Sequence, residues 1–377
     1  MNRMRAYLDW NATAPLSEAA LAAMRAVWAE GPLNPSARHG AGQRARAIVE
    51  DARRRMARLL GCRAEEIVFT SGGTEALNLA VAGAPVARHV VSFMEHPAVM
   101  RPAKASGKPV ALLEVDGQGL VDLAALERHL AAGEGRALVS VMLASNETGV
   151  IEPVRDVVRI ARAHGALVLC DAVQAAGKMI VDFADLGVDM LALSAHKFGG
   201  PQGAGLLVVR EGLALAPLVL GGGQERNRRS GTENVAAIAG MAAALETALE
   251  DLEQKTSRLN RLRTLLETEL QVLSPDVVIF SAAAPRLANT VFFAHPRVAA
   301  DVALMHLDLD GVAVSAGSAC HAGKGEVSRA LVAMGVPRAL ARHALRISMG
   351  PATTEEEVRL FLESWQRLLE RVAQAAA

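Results

Sequence analysis

The sequence predicts an α/β fold whose core is a mainly parallel seven-stranded sheet flanked by helices, with a smaller α+β domain beside it. Three observations support this prediction: short apolar runs recur between residues 67 and 210, helix-like stretches separate them, and the runs show little polar–apolar alternation. The 377 residues are 51% hydrophobic and 21% charged, which is enough apolar material for a large core and, at this length, for two domains.

The seven apolar runs each have the length of a strand, and they begin at Ile67, His89, Val110, Ala137, Ala166, Met190 and Gly205. Because they lack a clear period of two, we expect these strands to be buried on both faces. Helical patterns lie between them, for example over residues 122–132 and 153–164. Such alternation is typical of a parallel sheet wrapped by helices.

The second half of the chain has a different pattern. Leucines recur at helical spacing over residues 245–270, which predicts a long helical segment joining two domains. Strand-like runs begin at Thr290, Val312 and Leu345, and a final helix follows Pro351 with a capping-box pattern. We predict a large domain over residues 13–255 and a small domain formed by residues 1–12 and 256–377.

Charge and cysteine usage narrow the class of protein. Lys plus Arg number 40 and Asp plus Glu number 40, so a balanced charge argues against nucleic-acid or anionic-membrane partners. Residues 1–10 contain no continuous apolar core, and no apolar run approaches the roughly 18 residues of a membrane span. Three cysteines are too few for a disulfide framework. We therefore expect a soluble, cytoplasmic protein without membrane segments.

Two glycine-containing turns are candidate anion sites. Ser71-Gly-Gly-Thr-Glu follows a predicted strand and opens a helix, which is how a phosphate site is built, although it is also an ordinary strand-to-helix connection. It is not a Walker loop, because no Gly-Lys-Ser/Thr follows. The segment from Gly221 to Thr232 is glycine-rich, then basic, and could bind an anion or form a solvated surface loop.

Two charged residues follow predicted buried strands. Asp171 is placed either for ligand contact at the carboxyl end of its strand or for capping the next helix. Lys197 lies between a buried strand and a Gly-Gly turn. Most lysines are solvated, but one held in an apolar cleft has a lowered pKa and bonds covalently to carbonyl compounds. Ser194 and His196 beside it could donate to a phosphate.

The three cysteines have different surroundings. Cys320 lies among small residues, with His321 and Lys324 nearby, which suits a reachable thiol whose neighbouring cations favour the thiolate. Cys170 ends an apolar run and Cys62 follows a helical pattern, so we interpret both as structural. No cysteine or histidine spacing matches a metal site, and we expect no bound metal.

Together these motifs resemble the cysteine desulfurases, a branch of the class V, fold type I pyridoxal-phosphate enzymes, most closely those of iron–sulfur cluster assembly and nitrogen fixation. The resemblance runs nearly end to end. It is carried by Tyr7-Leu-Asp-Trp-Asn-Ala-Thr-Ala-Pro, Asn34-Pro-Ser, Ile67-Val-Phe-Thr-Ser-Gly-Gly-Thr-Glu, Glu95-His, Asn146-Glu-Thr-Gly-Val, Asp171-Ala-Val-Gln, Ser194-Ala-His-Lys, the Arg-Arg-Ser-Gly-Thr ending at Thr232, Gly317-Ser-Ala-Cys and Arg346-Ile-Ser-Met-Gly.

The resemblance implies a role for each motif residue around pyridoxal phosphate. Lys197 would carry the cofactor covalently, Asp171 would pair with its pyridine nitrogen, and His96 would stack on its ring and help move protons. Gln174 would hydrogen-bond the phenolic oxygen. Further cofactor contacts would come from Gly73, Thr74, Asn146, Ser194, His196 and, from the second subunit of a homodimer, Thr232.

The resemblance also implies the reaction. Asn146 and Arg346 would clamp the carboxylate of L-cysteine, since the arginine fork matches two oxygens, with Asn34 nearby. Cys320 would attack the substrate sulfur and become a persulfide, L-alanine would leave, and the sulfur would pass to an acceptor protein such as an iron–sulfur scaffold. The acceptor stays open, with nitrogenase maturation, tRNA thiolation and molybdenum-cofactor sulfuration as further destinations.

The sequence departs from the family pattern in two places, and alternative functions stay open. Ser145-Asn146 stands where the family usually has paired asparagines, and His321-Ala-Gly-Lys-Gly replaces a serine-rich stretch after the cysteine. A selenocysteine lyase or another class V enzyme is one alternative, which Cys320 argues against. A non-catalytic scaffold is another, which the intact set of Lys197, Asp171, His96 and Cys320 argues against.

Overall fold

The computed structural model describes residues 6–317 and 327–376. Its strands are β1 (Ala6–Tyr7), β2 (Ile67–Thr70), β3 (Arg88–Ser92), β4 (Val110–Leu113), β5 (Ala137–Met142), β6 (Leu167–Asp171), β7 (Met190–Ser194), β8 (Gly205–Val209), β9 (Val278–Ile279), β10 (Thr290–Ala294), β11 (Val312–Ala313), β12 (Ser315–Ala316) and β13 (Ala344–Ser348). Its α-helices are α1 (Glu18–Ala29), α2 (Gly40–Leu59), α3 (Gly73–Gly83), α4 (Pro97–Ala105), α5 (Leu123–Ala132), α6 (Val154–Ala163), α7 (Phe183–Leu186), α8 (Gln224–Asn227), α9 (Val235–Leu249), α10 (Leu252–Leu273), α11 (Ala300–Leu309), α12 (Arg329–Ala333), α13 (Arg338–Ala341) and α14 (Glu355–Ala376).

The central sheet has seven strands in the order β2-β8-β7-β6-β5-β3-β4, which confirms the predicted mainly parallel sheet. The contacts among β3, β4, β5, β6 and β7 are parallel, and β8 runs antiparallel to both of its neighbours. Six strands therefore point the same way. The carboxyl ends of β2, β3, β5, β6 and β7 meet at one edge of the sheet, where ligands of open α/β sheets bind.

Helices cover both faces of this sheet. In β6, Val168 and Cys170 pack into one apolar cluster, whereas Leu167 and Leu169 pack into another. Successive side chains of a strand point to opposite faces, so both faces of β6 are buried. This explains why the predicted strands showed no polar–apolar alternation.

A second sheet, in the order β12-β13-β10-β9, is antiparallel throughout. Its core includes Phe293, whose ring meets that of Trp365 on α14 edge to face at 5.3 Å. The predicted capping box at the start of α14 is confirmed: Thr354 N–H donates to Glu357 Oε2 (2.8 Å), and Glu357 N–H donates to Thr354 Oγ1 (3.3 Å). The N-terminal residues Ala6 and Leu8 join this second core. The proposed domain boundaries stay a prediction.

The leucine-rich segment over residues 245–270 differs from the single helical stretch expected. It forms two helices, α9 and α10, separated at Glu250 and Asp251, where Asp251 has a left-handed φ of 48°. Lys255 bridges the break, since its Nζ donates to Thr247 O at 2.7 Å. Leucine spacing alone could not show the interruption, because the apolar stripe resumes on the far side of it.

No helix within residues 6–317 and 327–376 has both the length and the apolar character needed to cross a membrane.

Candidate active site

A cavity of about 680 Å³ opens at the carboxyl edge of the central sheet. Its walls bring together residues that lie far apart in the chain, because β2, β3, β5, β6 and β7 all end there. Most of the predicted site residues line it, namely Gly73, Thr74, His96, Asn146, Asp171, Gln174, Ser194, His196, Lys197 and Arg346.

Asp171 ends β6 and its carboxylate is buried in the cavity wall. Val173 N–H donates to its Oδ1 at 2.9 Å. Burial raises the pKa of Asp171 to about 6, and the Val173 hydrogen bond and the Lys197 charge only partly oppose this rise. A carboxylate that is costly to keep charged suits a cationic ligand group, which would stabilise the charged form.

Lys197 comes from the short turn that follows β7. The amine donates to the carbonyl oxygens of Asn11 (2.6 Å) and Ala12 (2.8 Å), which belong to the N-terminal segment crossing the cavity. The predicted Gly-Gly turn follows it, with Gly199 at a φ of +87°. The backbone therefore presents this amine to the cavity from the strand end.

One end of the cavity is suited to an anion. Helix α3 begins at Gly73 on the cavity wall, and the N–H groups of a first helical turn have no partner within the helix. A Cβ on Gly73 would lie 2.8 Å from Val173 Cγ2, so only glycine allows this close approach. Ser194 lies next to Gly73, and His196 lines the same cavity.

Two histidines, His196 and His96, line the cavity. Burial, and then the Lys197 charge, lower the pKa of His196 to about 4, and its Nδ1 lies 3.2 Å from Thr13 Oγ1. The ring of His96 caps α4, and its Nδ1 accepts a hydrogen bond from Ala98 N–H at 3.1 Å. Because Nδ1 is the acceptor, the proton of a neutral His96 ring lies on Nε2.

Arg346 lies at the other end of the cavity on β13. Its Nη1 donates to Asn146 O (2.8 Å) and its Nη2 donates to Asp9 Oδ1 (2.7 Å). Its Nε is buried and forms no hydrogen bond to the residues that the structure describes. Each Nη carries a second N–H, so the fork is held in place with donors remaining, which suits a ligand carboxylate.

The segment from Tyr7 to Pro15 is one of the motifs that carry the family resemblance, but the sequence predicted no function for its polar residues. Asp9 holds Arg346 and also accepts from Ser315 Oγ at 2.7 Å. Asn11 joins several parts of the site, since its backbone oxygen accepts from Lys197 and its Oδ1 accepts from Lys178 at 2.9 Å. The presence of charged and amide residues in a short N-terminal stretch was the available signal.

Two predicted residues that the structure describes, Asn34 and Thr232, do not line this cavity. Asn34 is exposed, and its Oδ1 accepts from Ser36 N–H at 2.9 Å. Thr232 is also exposed, on a loop that the Arg229–Glu75 ion pair (2.7 Å) attaches to the first turn of α3. Cys320 lies outside the described residues. Their assigned roles stay predictions.

The other two cysteines are poor nucleophiles in this structure. Burial raises the pKa of Cys62 to about 12, and burial raises the pKa of Cys170 well above its ordinary value. A thiol must ionise to attack, so neither is suited to nucleophilic chemistry near neutral pH.

Comparison with known proteins gives a consistent result. Residues 6–361 match the family described as Aminotransferase class-V. The chain is 39% identical to the "Cysteine desulfurase IscS" of Dictyoglomus turgidum, covering 97% of this chain and 95% of that relative, and 40% identical to the "IscS-like cysteine desulfurase" of Mycobacterium tuberculosis, covering 98% of each. The X-ray structure of a NifS-like protein from Rickettsia africae superposes with a TM-score of 0.90 at 31% identity, covering 97% of this chain and all of that one. The chain therefore belongs to the class V aminotransferase family and, within it, to the cysteine desulfurases.

Proposed function

We propose that this protein converts L-cysteine to L-alanine and takes the sulfur onto Cys320 as a persulfide. The observation that supports this most strongly is the content of one cavity: the Lys197 amine, the Asp171 carboxylate and the Arg346 fork share its walls. These are the groups needed to hold a carbonyl cofactor, to charge its ring and to bind an amino-acid carboxylate.

The chain uses pyridoxal phosphate, and the residues present fit that group. The Lys197 amine suits its aldehyde, and the buried Asp171 carboxylate suits a protonated pyridine nitrogen. The phosphate suits the start of α3, where Gly73 leaves room for it and Thr74, Ser194 and His196 supply donors. Bound there, the cofactor supplies an electron sink for the bonds at the substrate α-carbon.

The protein residues then orient the substrate and move its protons. Arg346 and Asn146 hold the carboxylate, which fixes the bond at the α-carbon that is aligned for cleavage. With the substrate bound, Lys197 would take the α-proton on Nζ. His96 lines the same cavity, and the N–H of its Nε2 would assist proton movement.

Cys320 carries out the sulfur step as a thiolate. Its Sγ attacks the substrate sulfur, so that an S–S bond forms and the substrate C–S bond breaks. The electron pair of the broken bond goes to the carbon fragment, which takes up a proton and leaves as alanine. Thiolate character is required, and the pKa values of Cys62 and Cys170 disfavour either as the nucleophile.

We further propose that the persulfide passes to an acceptor protein such as an iron–sulfur scaffold and that the enzyme is a homodimer. Thr232 would then complete the phosphate site of the second subunit, which is consistent with its exposure and with the ion pair that anchors its loop. Asn34, exposed in the described chain, would approach the substrate as part of the same assembly. A reducing cytoplasm would keep the Cys320 thiol free.

The test is to incubate the pyridoxal-phosphate-loaded protein with L-cysteine and to quantify alanine, with selenocysteine as a parallel substrate. We expect Cys320→Ala to keep the visible absorbance of the cofactor but to lose sulfur transfer. Cys62→Ala, the matched control, should behave as the unmodified protein. Sulfur release that is unchanged in Cys320→Ala would rule out the role given to that thiol, and a reaction confined to selenocysteine would favour a lyase.

A further inference from the structure

Lys178 is a lysine at the back of the site that does not line the active-site cavity. It lines a second, largely apolar cavity of about 350 Å³, together with Trp10, Phe198 and Lys255. Its Nζ donates to Gln174 Oε1 at 2.6 Å and to Asn11 Oδ1 at 2.9 Å. Gln174 and Asn11 both line the active-site cavity, so the Lys178 amine contacts two residues of its wall without lining it.

These contacts determine which way the Gln174 amide points. The Lys178 amine donates to Gln174 Oε1, as it can in both its charged and its neutral form. A backbone carbonyl can only accept, and Asn11 O accepts from Gln174 Nε2 at 2.9 Å. Reversing the amide would put Oε1 against the Asn11 carbonyl, which only accepts, and would take away the hydrogen bond that the Lys178 amine donates to Oε1. The second N–H of Nε2 remains as a donor on a side chain that lines the active-site cavity.

The surroundings of Lys178 disfavour the charged form of its amine. No carboxylate among residues 6–317 and 327–376 forms an ion pair with it, and its hydrogen-bond partners are two amide oxygens. Burial, and then the charges of Lys197 and Arg346, lower its pKa well below the ordinary value for lysine. An apolar side chain would suit the wall of the apolar cavity better, so what the amine contributes there is its two hydrogen bonds.

We propose that Lys178 is a positioning residue that keeps Gln174 turned as a hydrogen-bond donor toward the phenolic oxygen of pyridoxal phosphate. This inference rests on the proposed function, in which Gln174 faces that oxygen. A donor at an anionic oxygen favours the deprotonated form. Lys178 therefore acts through Gln174 to lower the pH at which the bound cofactor loses its proton.

The experiment measures the visible absorbance of the holoenzyme against pH, which reports the cofactor rather than turnover. In Lys178→Met we expect the midpoint of the absorbance change to rise by about 0.5 to 1 pH unit, the equivalent of one ordinary hydrogen bond. Lys178→Arg keeps a donor, and the adjoining cavity has room for its bulk, so its midpoint should stay near that of the unmodified protein.

Lys255→Met is the matched control. Lys255 lines the same apolar cavity, but its Nζ donates to Thr247 O at 2.7 Å and not to Gln174. We expect no change in the midpoint. If methionine at position 178 prevents folding, Lys178→Ala, which enlarges the cavity instead of filling it, provides the same readout.

A double variant separates this inference from the proposed function. If Lys178 acts through Gln174, Gln174→Ala raises the midpoint, and adding Lys178→Met to Gln174→Ala changes it no further. A midpoint that moves in Gln174→Ala but not in Lys178→Met overturns the inference alone, as do fully additive shifts. A midpoint unchanged in Gln174→Ala overturns the contact between Gln174 and the cofactor, and the inference with it.

Discussion

At the sheet end of the cavity, Asp171 and Ser194 are the last residues of β6 and β7, and Lys197 lies in the turn that follows β7. At the other end, Arg346 meets Asp9 and Asn146 from two distant parts of the chain. The residues at the first end are held in position by a sheet that is buried on both faces. The second depends on an ion pair between residues 337 positions apart in sequence. Under the proposed function, cofactor chemistry would be built into the large core, while substrate binding would depend on how the N-terminal segment joins the second sheet.

Removing the amine at the sheet end should have the largest effect. In Lys197→Ala we expect loss of the covalent attachment of the cofactor and a fall in kcat of at least about 100-fold, because a positioned proton-transfer group contributes typically 10² to 10⁴. Borohydride reduction followed by peptide mapping and steady-state kinetics measure the two effects. Lys178→Met is the control, since its cofactor should remain attached to Lys197. A covalent link that persists in Lys197→Ala would refute the assignment.

At the substrate end, weakening the Asp9–Arg346 pair should change binding more than turnover. In Asp9→Asn the partner of Arg346 Nη2 loses its charge, so we expect the KM for cysteine to rise about 3- to 10-fold with kcat nearly unchanged.

Ser315→Ala is the matched control for Asp9. It removes the hydroxyl that donates to Asp9 Oδ2 but leaves the ion pair with Arg346 in place, so its KM should stay close to that of the unmodified enzyme. If both variants raise KM equally, the ion pair is not what positions the fork.

Asp171 should show a smaller effect, on stability, in protein prepared without the cofactor. Its folded pKa of about 6 lies above the unfolded value of about 3.9, so the native state binds more protons across this range. The resulting cost is absent below about pH 4, grows as the pH rises, and reaches at most about 3 kcal/mol above pH 6.

We therefore expect Asp171→Asn to raise the Tm of the cofactor-free protein by a few degrees at pH 8, with a gain that shrinks toward pH 5. Thermal unfolding at several pH values measures this. A Tm gain that does not depend on pH would show that the carboxylate charge is not the cause. The same substitution should abolish activity, because it removes the partner of the pyridine nitrogen.

The two ends of the cavity also differ in how far sequence could predict them. The seven strands were predictable because each is a short apolar run bounded by turns, and Asp171 and Lys197 were visible as charged residues at the ends of such runs. Asp9 and Lys178 were not assigned roles, because their importance lies in partners rather than in local pattern. Asp9 contacts Arg346 across the chain, and Lys178 matters through the amide it orients.

The break between α9 and α10 was missed for a related reason. The leucine spacing continues across it, and the left-handed residue at the break is Asp251, with no glycine or proline there to signal an interruption. Asn34 and Thr232 illustrate the converse case. The family resemblance assigned them to the site, but the described chain places both on its surface.

The most direct test of the account is to locate the sulfur. The pyridoxal-phosphate-loaded protein would be mixed with L-cysteine, alkylated without reductant, digested and mapped by mass spectrometry. We expect one additional sulfur atom on the peptide that contains Cys320, formed together with alanine. Alanine formed with the additional sulfur on the peptides of Cys62 or Cys170, or on no peptide, would contradict it.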